Sequence, residues 1–155
     1  MSALSYKKRL RTEAAIMAEE MPQFRLFQTR SGAHYFRGWQ KTTIGGRSYE
    51  FKLVIPMRYP NEMPRLYVIY PTELWQHGFR RLVNTEGVSH GFHTLGNGPG
   101  GCVQICHFKP ELWDASRTCV GVFAKGLLWL EAYEVHLRGG RSIADTLSEW
   151  KRSQR

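Results

Sequence analysis

The sequence predicts an α+β domain in which one helix precedes a four-stranded antiparallel sheet and further helices follow it. Three observations predict this: helical periodicity near the N-terminus, four short apolar segments joined by turns, and a long apolar helical segment after a glycine-rich stretch. The chain has 155 residues, 42% of them apolar. We therefore expect a single domain, residues 1–155, with a substantial core.

The first helix is indicated by apolar residues that return to one face. Leu10, Ala14, Met17 and Met21 follow the spacing of that face. Pro22 is expected to end the helix, because proline cannot donate a backbone hydrogen bond within it.

Four strands are predicted at residues 24–29, 34–41, 48–55 and 66–70. The clearest period-2 alternation of apolar and polar residues lies at 48–55. Residues 30–33 and 43–46 are typical of hairpin turns. Consecutive strands joined by short turns predict an antiparallel meander.

The segment 72–101 breaks this pattern and is predicted to be a long active-site loop. It contains seven glycines and no clear periodicity, and loops of this length in small domains are usually functional or disordered. A second helix is predicted over residues 116–138, ending at Gly139 and Gly140. Ser142 and Asp145 resemble a capping box at the start of a last helix.

Cys106 is the candidate catalytic residue. It closely follows the glycine-rich segment, which can leave the side chain open to a large partner. A thiolate in that position can act as a nucleophile or an acyl carrier. His107 is adjacent, and His93 is a second candidate for a cation that lowers the pKa of the thiol. The alternative is that Cys106 is a small buried apolar residue.

Cys102 lies four residues before Cys106 and is a candidate redox partner. A neighbouring thiol can trap an oxidised nucleophile as a disulfide. Four extended residues span about 13 Å, so the bridge requires a bend between the two cysteines. The alternative is a core or loop cysteine. Cys119, on an apolar helical face, is expected to be part of the core.

A zinc site is the rival interpretation of the same region. His90 and His93, with Cys102 and Cys106, supply four side chains of zinc-ligand type. The histidine spacing is tighter than in zinc fingers, so we predict neither a metal ion nor another cofactor.

The charge balance favours acidic partners. Lys and Arg number 22 against 13 Asp and Glu, a formal net charge of +9. The basic residues are scattered along the sequence, which favours a solvated surface over a nucleic-acid partner. No signal peptide, no long apolar run and only three cysteines predict a cytoplasmic protein without a membrane partner.

Three segments carry a resemblance to a known family. Residues 56–64 resemble a P-x-x-Y-P-x-x-x-P motif, residues 101–106 a G-x-I-C motif, and residues 113–118 a W-S-P-x-x-T motif. Their order is similar to that in ubiquitin-conjugating (UBC) enzymes, over roughly residues 21–137. This resemblance implies a UBC-like fold with Cys106 as the thioester cysteine. We further expect Tyr59 to pack under the loop before Cys106.

The family's His-Pro-Asn triplet is absent as such, and His93 and Asn97 occupy its region. Asn97 is therefore the candidate for the asparagine that supports catalysis in that family.

Residues 129–139 resemble the W-L-x-x-Y-E helix of bacterial conjugating-enzyme-like proteins from CBASS-type antiphage defence islands. That resemblance implies conjugation of the C-terminus of a cGAS-like cyclic-oligonucleotide synthase to an acceptor protein that the sequence does not identify. Two alternatives are a non-catalytic adaptor of the same fold that binds a protein partner, and a basic nucleic-acid-binding module.

Overall fold

The computed structural model describes residues 3–154 and has three helices and a seven-stranded sheet in that range. The helices are α1 (Ala3–Glu20), α2 (Cys119–Gly139) and α3 (Ile143–Ser153). The strands are β1 (Arg25–Gln28), β2 (His34–Lys41), β3 (Ser48–Ile55), β4 (Arg65–Tyr70), β5 (Val88–Ser89), β6 (Thr94–Asn97) and β7 (Val103–Ile105). The sheet order is β1-β2-β3-β4-β7-β6-β5, and all neighbours are antiparallel. The prediction of an α+β domain is confirmed.

The first four strands lie close to their predicted positions and pair in chain order. In β3, Phe51 and Leu53 are fully buried while Lys52 between them is not, as the period-2 pattern predicts. The four predicted strands are not the whole sheet, because β7, β6 and β5 extend it beyond β4 to seven strands.

The segment 72–101 is correspondingly more regular than predicted. It holds β5 and β6, two turns of 3-10 helix at Val83–Glu86 and Pro99–Gly101, and a bridge between Trp75 and Leu82. Strands of two and four residues are too short to show an alternating pattern, and their order comes from the pairing of β6 with β7 and of β5 with β6.

Helices α1 and α2 cover one face of the sheet and build the core with it. Phe24 stacks on Phe123 of α2 with ring centroids 4.1 Å apart. A Cβ atom at Gly126 would lie 2.6 Å from Leu66 Cδ2. The glycine therefore lets α2 approach the sheet closely.

Helix α2 begins at Cys119 rather than at residue 116, because Thr118 caps it. The Thr118 hydroxyl accepts a hydrogen bond from the Gly121 N–H at 3.1 Å. The predicted C-terminal stop is confirmed: Gly140 has φ of 78° and donates to His136 O. Ser142 caps α3 as predicted, accepting from the Asp145 N–H at 3.1 Å.

Two carboxylates of α2 anchor the β2–β3 turn. Glu131 accepts hydrogen bonds from the Thr43 and Ile44 N–H groups at 2.6 and 3.0 Å. The buried Glu134 accepts from the Tyr49 hydroxyl at 3.0 Å. Residues 129–139, which resemble the W-L-x-x-Y-E helix, therefore hold α2 against the sheet through these two carboxylates.

Between residues 3 and 154, no helix combines the length and the apolar character needed to cross a membrane.

Candidate functional site

Cys106 lines a cleft of about 440 Å³ at the end of β7, bounded by the loop before β6 and by helices α2 and α3. His93 and Cys106 lie on the sheet side. Lys125 and Trp129 come from α2, and Trp150 from α3. The cleft thus combines a thiol, an ammonium group and apolar walls.

The backbone holds Cys106 in place through His93. The Cys106 N–H donates to His93 O at 3.0 Å, and His93 has φ of 56°. A left-handed conformation is uncommon for histidine and is found mostly where the surrounding structure enforces it. The thiol, which is half-buried, donates to Phe108 O at 3.4 Å.

The electrostatic environment keeps the Cys106 thiol protonated at neutral pH. Burial, and then the carboxylate of Glu111, raises the pKa of Cys106, while Lys109 and Lys125 act in the opposite direction. The expectation of a thiol with a lowered pKa is therefore wrong for the chain by itself.

His107 is not the cation that the sequence suggested. It is buried, its Nε2–H donates to Pro64 O at 2.8 Å, and it contacts Trp113 edge-on. Burial lowers the pKa of His107 to about 4. The imidazole is neutral at physiological pH and supplies no positive charge to Cys106.

His93 is adjacent to Cys106 as predicted, but it too favours the neutral form. Burial lowers the pKa of His93, and the positive charges of Lys125 and Lys109 lower it further. Its Nδ1 is buried without a hydrogen-bond partner among the described atoms. A neutral imidazole nitrogen can accept a proton, so His93 suits a base better than a cation.

Asn97 lies at the other end of β7, and the prediction that it supports Cys106 is wrong. It pairs with Val103, three residues or about 10 Å along the strand from Cys106. Its Nδ2 donates to Asn84 O and Gly101 O, both at 2.9 Å. Asn97 therefore ties the loop before β7 to the sheet.

Cys102 is also separated from Cys106 by the length of β7. Its side chain is buried and donates to Pro99 O at 3.4 Å. Because Val103–Ile105 is extended and hydrogen-bonded on both sides, the two cysteines lie about 13 Å apart. A disulfide would require β7 to leave the sheet. Cys119 is buried in the core, as predicted.

Lys125 is the main site residue that the sequence did not single out. Its Nζ lies 3.8 Å from the centroid of the Phe108 ring, and Arg117 Cζ lies 4.0 Å from the same centroid. Two cations thus flank the residue whose carbonyl accepts the Cys106 thiol. The signal was present in the sequence, since Lys125 interrupts an otherwise apolar segment of α2.

The segment after Cys106 rests on the proline-bracketed turn. Trp113 Nε1 donates to Pro60 O at 2.8 Å, and its ring lies 6.4 Å from that of the buried Tyr59. Tyr59 is buried as expected, but it supports the chain after Cys106 rather than the loop before it.

The structure does not support the zinc-site alternative. Within residues 3–154, no three His, Cys, Asp or Glu side chains lie close enough together to bind one metal ion. Cys102, one of the four ligands considered, lies at the far end of β7 from Cys106.

Comparisons of the chain with protein-family models, with curated proteins and with solved structures gave no match in any of the three.

Proposed function

We propose that the chain is a UBC-like transferase that carries an acyl group as a thioester on Cys106 and passes it to an amine. The observation that carries the proposal is the placement of the Cys106 thiol in the wall of a cleft beside Lys125. The α+β order and the UBC-like motifs on both sides of Cys106 support it.

The first step is formation of the thiolate. The thiol is protonated in the isolated chain, so a base must take its proton when the acyl donor binds. His93 is the candidate base, because its imidazole is neutral and its carbonyl oxygen accepts a hydrogen bond from the Cys106 N–H, which places the two residues side by side. The positive charges of Lys125 and Lys109 favour the thiolate once it forms.

The thiolate then attacks the carbonyl carbon of a C-terminal carboxyl group that was activated beforehand as an ester or a thioester. A C–S bond forms, the bond to the alkoxide or thiolate leaving group breaks, and the leaving group takes up a proton and departs. Negative charge develops on the carbonyl oxygen, and the ammonium group of Lys125 stabilises it. In the second step the amine of the acceptor attacks the thioester, an amide forms, the amine loses a proton and the Cys106 thiolate is released.

The acyl donor that we propose is the C-terminus of a cGAS-like cyclic-oligonucleotide synthase in bacterial antiphage defence. The resemblance to bacterial conjugating-enzyme-like proteins supports this choice. An extended C-terminal segment suits an open cleft of about 440 Å³ with Lys125 and Lys151 in its walls.

The test is co-expression with a bacterial cGAS-like cyclic-oligonucleotide synthase, followed by non-reducing electrophoresis and mass spectrometry. We expect a thiol-sensitive adduct joining the synthase C-terminus to Cys106. Cys106→Ser should give a thiol-resistant oxyester, and Cys106→Ala should give neither. Cys102→Ala is the matched control and should behave as the wild type.

An adduct that persists in Cys106→Ala would contradict the proposal. A stable complex of the two proteins without any adduct in the wild type would instead favour the adaptor function.

A further inference from the structure

The outer face of the sheet, meaning the side of β1–β4 turned away from the helices, carries exposed aromatic side chains. Phe27, Trp39 and Tyr70 are 41%, 49% and 55% exposed. The helices pack on the other face, where Gly126 of α2 meets Leu66. Among the described residues, no helix covers the outer face.

These rings are arranged in two pairs. Tyr35 stacks on Phe27 with centroids 5.4 Å apart and planes within 15°. The ring centroids of Trp39 and Tyr70 lie 5.3 Å apart, and the two ring planes are tilted by 59°. Single exposed aromatic residues are ordinary on protein surfaces, but paired rings on one open sheet face offer a surface on which flat ligands can stack.

The outer face also carries all the Lys and Arg side chains of strands β1–β4. Within β1–β4 the only acidic residue is Glu50, and all five Lys and Arg residues lie at outer-face positions of the alternation: Arg25, Arg37, Lys41, Lys52 and Arg65. Five of the 22 Lys and Arg residues, scattered in the sequence, thus share one surface, because the strand register places them together.

Three of these cations form a row across neighbouring strands. Arg25 is directly opposite Arg37, and Arg37 is directly opposite Lys52. Like charges directly opposite each other destabilise a sheet. Glu50 pairs with Arg37 at 2.7 Å. Among the described residues, Arg25 and Lys52 have no acidic partner on this face, and Lys52 Nζ lies 4.5 Å from the centroid of the Tyr35 ring. A ligand with regularly spaced negative charges would neutralise the cations that lack an acidic partner.

A shallow groove of about 360 Å³ joins the two features. Its walls include Arg25 and Arg37 from the row and Phe27, Tyr35 and Trp39 from the rings. Aromatic rings beside a line of cations are the arrangement by which proteins bind unpaired bases and the phosphates between them. In a duplex the bases are already stacked on each other, so the rings would have no base to contact.

We propose that the outer face binds single-stranded nucleic acid, with bases stacked on Trp39 and Phe27 and phosphates paired with Arg25 and Lys52, on either side of the Arg37–Glu50 ion pair. This inference is independent of the acyl transfer proposed above, because the face does not include Cys106.

The test is fluorescence anisotropy with labelled oligothymidylate and oligouridylate of about 20 nucleotides, at salt of about 50 mM and above. We expect binding to both single strands, weaker binding to a duplex, and an affinity that falls as salt rises. A clear preference for one single strand would identify DNA or RNA as the ligand. Cys106→Ala should bind as the wild type, so the outcome does not depend on the thioester.

Two variants locate the site. Trp39→Ala should weaken binding by about fivefold to a hundredfold, the effect of losing one stacked base. Arg25→Glu, on the edge strand, should weaken binding and reduce its salt dependence. Circular dichroism checks that both variants fold. The matched control is Lys8→Glu on α1, which also reverses one charge but lies off the face.

Three results would overturn the proposal. The first is no binding at low salt, and the second is an equal loss in Arg25→Glu and Lys8→Glu. The third is full competition by polyglutamate together with no effect of Trp39→Ala, which would indicate an acidic protein as the partner.

Discussion

Tyr59 donates its hydroxyl hydrogen to Glu13 Oε1 across 2.6 Å, joining the turn after β3 to helix α1 inside the core. The same carboxylate accepts from the Cys119 N–H at 3.0 Å and from Arg9 Nε at 3.1 Å. Burial, together with Cys119 and Glu13, raises the pKa of Tyr59, so its hydroxyl remains a donor. One buried carboxylate therefore connects α1, the start of α2 and the turn under Trp113.

We expect Glu13→Gln to destabilise the fold by about 1.5–3 kcal/mol, because the bonds to a charged acceptor are weakened. Urea denaturation monitored by circular dichroism measures this. Glu19→Gln on the exposed side of α1 is the control and should change stability by less than about 0.5 kcal/mol. Equal stability of the two variants would show that the buried carboxylate contributes nothing.

Tyr59→Phe should also lower the free energy of unfolding, because it removes one of the hydrogen bonds to Glu13. The double variant Tyr59→Phe/Glu13→Gln should lose less than the sum of the two single-variant losses. Tyr59→Ala should cost about 3–5 kcal/mol, because it also leaves a cavity beside Trp113. Additive losses in the double variant would mean that the two side chains act separately.

Cys106 should be the only cysteine that reacts with iodoacetamide in the native protein, since Cys102 and Cys119 are buried. Its rate should still rise above pH 8.5, the ordinary pKa of a free thiol. Glu111→Gln should speed alkylation severalfold at neutral pH, because Glu111 raises the pKa of the thiol, and Lys125→Met should slow it.

The reaction is followed by mass spectrometry of intact protein and peptides. Lys8→Met, which removes a distant positive charge, is the control for Lys125→Met. A rate that levels off below pH 7 would show that the thiol is ionised at neutral pH after all.

His107 should make the protein less stable in mild acid. Its pKa is about 4 when folded and 6.5 when unfolded. Between these values the unfolded chain binds a proton that the folded chain does not, so stability falls as the pH drops from 6.5 towards 4. The loss should be at most about 3 kcal/mol.

Urea midpoints at pH 7 and pH 4.5 measure this loss. His107→Phe should reduce the difference between the two midpoints without abolishing it, because burial also lowers the pKa of His93. An unchanged difference in the variant would assign the acid sensitivity to other groups.

Cys102 should not act as a resolving thiol. After mild peroxide and then a thiol reductant, we expect Cys102→Ala and the wild type to recover the same fraction of free Cys106, because β7 holds the two sulfur atoms apart. Free thiol is counted by labelling and mass spectrometry. Irreversible oxidation of Cys106 in Cys102→Ala alone would show that β7 opens far enough for a disulfide.

The sequence alone predicts the α+β class, the helices and the first four strands. These elements follow from local periodicity and from capping residues such as Ser142 and Gly140, which act over a few residues. It also singled out Cys106, through the glycines before it and the motifs around it.

The residues that surround Cys106 follow from the packing of the folded chain. His93 reaches it because β6 and β7 pair, while Asn97, four residues later, is carried to the far end of the strand. Lys125 arrives from a helix that packs across the sheet, and burial of His107 removes the charge expected of it. The row Arg25–Arg37–Lys52 likewise exists only in the folded sheet. Proximity and burial depend on the packing of elements distant in sequence, and local patterns do not encode either of them.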